Sequence, residues 1–114
     1  MTKLELSRLL HSLQIPVGEG EHFMDSADQM PKVAYWEYLW NDNMASGDDY
    51  EVVVTYQISF MSARPRDPKL LALKRELNDI GIHPDIYHEY VKSNKTPGYH
   101  HSYFSVDVEE DIDG

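Results

Sequence analysis

Hydrophobic residues are spaced along the chain in two different rhythms. Near the start, Leu6, Leu9, Leu10 and Leu13 recur at i, i+3, i+4 and i+7, the stripe of an amphipathic helix. Thr2 stands at the N-cap position, with Glu5 at capping-box spacing. Pro16, Gly18 and Gly20 end the segment. From Tyr50 to Met61 the rhythm changes to two: Val52, Val54, Tyr56, Ile58 and Phe60 alternate with mostly polar neighbours. That pattern predicts a long strand with one buried face. Helical spacing returns at Leu70, Leu73, Leu77 and Ile80, with Leu71 on the flank. Asp67 is the expected N-cap, Pro68 the first helical residue and Gly81 the left-handed stop.

The remaining segments are less regular. Lys32 to Trp40 holds Tyr35, Trp36, Tyr38 and Trp40 and reads as a strand with large side chains on both faces. Asn41-Asp42-Asn43 signals a turn after it. A short strand is expected near Glu21–Phe23. Asp85 to Lys92 and Tyr99 to Val108 read as two further strands, joined by a hairpin-type loop at Ser93-Asn94-Lys95-Thr96-Pro97-Gly98. Strands arriving in hairpin-connected pairs predict an α+β fold. Its sheet is mainly antiparallel, four- to five-stranded, with two helices packed on one face.

With 114 residues, the chain is expected to form one domain, 1–114, in which 109–114 is a frayed acidic tail. Hydrophobic residues at 41% and 13 aromatics argue for a packed core. The net charge of −10 argues against nucleic-acid binding and against docking on an anionic membrane. No apolar run approaches the length of a membrane span, and no targeting segment is visible, so a soluble protein is expected. The absence of cysteine removes disulfides, thiolate nucleophiles and cysteine-based metal sites.

Catalytic motifs are equally scarce. The six histidines, His11, His22, His83, His88, His100 and His101, form no helix-ligand pair. His88 could meet His100 or His101 across a hairpin, with Asp85 or Glu89 adding an oxygen, but that is too few ligands for a stable site. No nucleophile elbow or nucleotide-cradling glycine loop is present. Paired carboxylates such as Asp48 and Asp49 fall in expected loops and tails, where they are solvated. No catalytic residue, cofactor or metal is therefore expected. What does stand out is interaction chemistry. Arg64, Arg66, Lys69, Lys74 and Arg75 form a basic cluster around the second helix. The aromatic strand with Tyr35, Trp36, Tyr38 and Trp40 is the second candidate contact surface.

In order, the signals resemble the tail terminator proteins of long-tailed bacteriophages. These are also called tail completion or tail-to-head joining proteins. The small "minor capsid" form from phages of Gram-positive bacteria is the nearer match. The resemblance covers about residues 3 to 108. It runs from the N-terminal helix through Ile15-Pro16-Val17 and the proline-opened aromatic strand Pro31 to Trp40. The acidic turn Gly47-Asp48-Asp49 then leads into the alternating strand Tyr50 to Phe60. Arg66-Asp67-Pro68-Lys69-Leu70 opens the second helix and Ile80-Gly81-Ile82 closes it. Tyr87-His88-Glu89-Tyr90-Val91 and the strand Tyr99 to Val108 complete the order.

The resemblance implies a structural protein of the virion, assembled in the host cytoplasm. It would form a homo-hexameric ring on the tail tube, stop tube growth and join the tail to the head connector. The free chain could be monomeric. The partners would be other copies, the tube protein and the connector, with Asp48 and Asp49 beside the aromatic and basic residues as candidate contacts. Six copies would carry about −60 in charge, six times −10, so DNA could pass without being held. Three other readings compete with it: a small acidic adaptor for a basic protein, a small enzyme using the histidines and carboxylates, and a different head–tail completion or tube protein.

Overall fold

The computed structural model describes residues 1–25, 30–44, 50–92 and 98–110. Both predicted helices form. Helix α1, Lys3–His11, is capped by Thr2, whose hydroxyl accepts from the Glu5 N–H at 3.2 Å. Helix α2, Pro68–Asp79, is capped by Asp67, whose carboxylate accepts from the Lys69 N–H at 2.8 Å. At the far end of α2 the Gly81 and Ile82 N–H groups bond back to Asn78 and Leu77. Gly81 turns there at φ +84°, which suits a residue without Cβ.

The strands are β1 (Val17–Glu19), β2 (Lys32–Met44), β3 (Tyr50–Ser62), β4 (Tyr87–Val91) and β5 (Tyr99–Glu110). They form one five-stranded sheet in the order β1-β2-β3-β5-β4. All neighbours are antiparallel except β1, which pairs in parallel with β2. The fold is thus α+β with a mixed, mostly antiparallel sheet, and both helices lie on one face.

The core fills the space between sheet and helices. Leu6, Leu10 and Leu13 of the α1 region meet Leu70, Leu73 and Leu77 of α2 over Val54, Tyr56, Ile58 and Phe60 of β3. Phe104, Val106 and Val108 of β5 extend it. Period-two alternation therefore gives the buried face of β3, as expected. At the base of the sheet, however, Ser59 and Met61 on the opposite face are buried as well.

Several expectations need correction. The strand anticipated at Glu21–Phe23 lies earlier, at Val17–Glu19, and residues Glu21–Asp25 form a 3-10 turn. Pairing of Val17 with Val33 fixes the strand there. Asn41-Asp42-Asn43 do not turn the chain. They continue β2 because Val53, Val52 and Glu51 of β3 pair with them. Glu109 and Glu110 are not a frayed tail. They end β5, and the Glu109 N–H bonds to the Met1 carbonyl at 3.1 Å. The hairpin-type loop placed at 93–98, residue 98 apart, and the tail at 111–114 lie outside the described residues.

Candidate interaction surfaces

Strands β2 and β3 each run for 13 residues, roughly 43 Å at strand rise. Helix α1 has nine residues, roughly 13 Å long. The helices lie over β3 and β5, where Val54 and Val108 are fully buried. β1 pairs with β2 only as far as Tyr35, so from Tyr38 onward β2 is an open edge, here called the ribbon. The molecule measures 54 × 28 × 21 Å.

A bulge shapes that ribbon. Glu37 pairs with Tyr56 and Leu39 with Thr55, so Tyr38 is the extra residue. An added residue shifts the alternation by one position. Trp36 and Tyr38 border a cleft on the helix-free face. Trp40, opposite Val54, falls on the helix side, where its indole N–H donates to Glu37 at 3.1 Å. Tyr35 is buried in the core, whereas Tyr38, Leu39 and Trp40 are exposed at 67%, 46% and 56%. The four aromatics singled out in the sequence thus serve three environments: core, helix-free face and ribbon. Asp48 and Asp49 lie outside the described residues. Even so, positions 33–63 hold five acidic residues and no Lys, Arg or His.

Half of the ten Lys and Arg residues fall between 64 and 75, and the fold spreads them around α2. Arg66 and Lys74 border a groove of about 340 Å³ with Leu70, Leu71, Ile86 and His88. Lys69 sits on the other flank of the helix, and Arg64 and Arg75 point outward as exposed side chains. Arg66 adopts a left-handed backbone at φ +53°, unusual for a residue with Cβ. Among the described residues none of these cations makes an ion pair, whereas Lys3–Glu19 and His101–Glu89 do. Lys74 bonds instead to the Asn78 amide oxygen at 2.9 Å, once that amide is oriented to satisfy both of its ends. The groove therefore has an apolar floor and a rim that carries Arg66 and Lys74 together with the Asp85 carboxylate.

The histidines separate rather than converge. His88 meets Ser102 at 2.8 Å, and His101 meets Glu89 at 2.8 Å on the opposite face of the sheet. A carboxylate only accepts, so the neutral His101 ring carries its proton on Nδ1. Its buried Nε2 has no hydrogen-bond partner. Rings of Tyr103, at 4.9 Å, and Tyr87 beyond it extend this cluster. The His100 ring lies tilted against the Tyr90 ring, with centroids 5.1 Å apart. Among the described residues no three His, Asp or Glu side chains gather as a metal site would require. No helix there is long and apolar enough to cross a membrane.

Sequence reasoning missed the bulge and the cleft; of the hairpin grouping it raised, Glu89 does meet His101, but His88 lies on the other face. One signal was available for the ribbon: a 31-residue stretch without a cation, followed at once by five cations in twelve residues. Compared with known proteins, the chain matches no family model and no curated sequence.

Proposed function

We propose that the chain is a tail terminator of a long-tailed bacteriophage, forming a ring that stops tube growth and joins the tail to the head connector. The observation that carries this reading is the division of the surface into two unlike parts. One is the open-edged ribbon, acidic in sequence and exposing Tyr38, Leu39 and Trp40. The other is a groove with an apolar floor, lined by the two cations Arg66 and Lys74 and the single carboxylate Asp85. A closed ring needs two different, complementary patches on each copy. Opposite charge brings such patches together and sets their register. Apolar side chains within both patches supply the area that is dried on contact.

The order of elements supports the same reading where it is described: helix, aromatic strand, alternating strand, Asp-Pro helix and two strands follow the terminator-like pattern, the acidic turn at 47–49 lying outside the described residues. The test is deletion of the gene from the phage or prophage genome that carries it, followed by electron microscopy of lysates. Tail-less heads beside over-long or ragged unattached tails are expected. Normal virions would remove the reading. A stable one-to-one complex with a basic host protein would then favour an adaptor.

A further inference from the structure

The helix-free face carries a cleft of about 660 Å³ that adjoins the ribbon at Tyr38. Its aromatic lining comes from Trp36 of β2, Tyr38 delivered by the bulge and Tyr99 at the start of β5, with the His22 imidazole and Met24 from the 3-10 turn beside them. Glu21 stands at the rim and Gln57 lies beside Trp36 on the neighbouring strand.

The polar groups of the cleft are largely unspent. The Gln57 amide nitrogen donates to Ser59 at 3.3 Å, which leaves its oxygen as the end able to accept. Glu21 makes no ion pair or hydrogen bond among the described residues, and the Trp36 indole N–H and the Tyr38 and Tyr99 hydroxyls make none either.

The rim is held in place from below. Lys32 is buried beneath it and donates to the Phe23 carbonyl at 3.0 Å and the Met24 carbonyl at 3.4 Å. Its ammonium also lies 5.4 Å from the Phe23 ring centre. That ring packs on Gly18 so closely that a Cβ there would collide with it.

Aromatic faces attract cations, and a nearby carboxylate adds full charge to that attraction. Among biological cations the guanidinium fits best. It is planar, stacks on an indole and offers several N–H donors to a carboxylate and an amide oxygen together. An ammonium is a more strongly hydrated point charge and gains less from stacking. An anion would meet the Glu21 carboxylate, and the lining holds no Lys or Arg, His22 being its one basic side chain. We propose that this cleft binds an arginine side chain presented by another protein chain. The site does not depend on the ring reading, because any protein partner could supply the arginine.

The two tryptophans make a direct test, since Trp36 borders the cleft and Trp40 is on the other face. The intact protein is titrated with N-acetylarginine amide while both indole N–H resonances are followed by NMR. The Trp36 resonance is expected to shift saturably and the Trp40 resonance to stay in place. N-acetylcitrulline amide, the neutral isostere, is expected to bind about tenfold more weakly. Glu21→Gln and Tyr38→Ala alter exposed side chains, so both variants should fold, and each should weaken binding by about threefold or more. Equal response to the citrulline compound, a Trp36 resonance that does not move, or unchanged binding in both variants would overturn the assignment.

Discussion

Strand β2 contains two regions of similar composition and opposite fate. Its first part, Val33 to Tyr35, is buried, with the helices on one side and the 3-10 turn near the other. Its second part, Tyr38 to Trp40, is exposed, although it is at least as aromatic. Side-chain chemistry does not separate the two. What separates them is cover: β1 pairs with Val33 to Tyr35 and stops there, so beyond it β2 is the open edge of the sheet, while Val54 opposite Trp40 stays buried under the helices. Aromatic density therefore marks a strand without saying what lies against it. The exposed half retains apolar side chains that solvent alone would not favour.

Substitutions at matched positions can break or sharpen this contrast. The largest effect is expected for Phe60→Ala, which removes a fully buried ring beneath the helices. Urea denaturation should show a loss of about 3–5 kcal/mol. A loss below 1 kcal/mol, on the order of a surface change, would mean that the base of the sheet is not the core. Next comes Gly18→Ala, whose Cβ collides with the Phe23 ring. Overpacking should cost about 1–3 kcal/mol and shift the Trp36 indole resonance, as the rim of the cleft is displaced. Asp67→Ala removes the α2 cap and should cost about 1 kcal/mol, with Asp67→Asn largely restoring it. Trp40→Ala should have the smallest effect, within about 0.5 kcal/mol of the parent, despite deleting the largest side chain type. If Trp40→Ala were as destabilising as Phe60→Ala, the ribbon would be part of the core and the comparison would fail.

Legibility in the sequence followed the range of the forces involved. Caps and stops act within a few residues, so Thr2, Asp67, Pro68 and Gly81 could be placed directly. The alternation of β3 was equally plain, because one face meets both helices. β1 was not, since three residues in parallel pairing give too short a pattern to read. Asn41, Asp42 and Asn43 looked like a turn because their residue types favour one, yet cross-strand pairing overrode that preference. The bulge at Tyr38 was invisible for a similar reason. It depends on register with Tyr56 and Thr55, and it alone decides that Trp36 and Trp40 face opposite ways. Of the candidate contacts, the basic cluster was correctly located around α2. Only the fold distinguishes Arg66 and Lys74, at the groove, from Lys69 and Arg75.

The central claim is that the ribbon exists for contact between molecules rather than for stability. Replacing the gene with a Leu39→Ser, Trp40→Ala version tests it most directly, once denaturation has shown the purified variant to match the parent. Electron microscopy of the lysate should then show unattached, over-long tails beside tail-less heads, as for the deletion. Normal virions from that equally stable variant would contradict the claim.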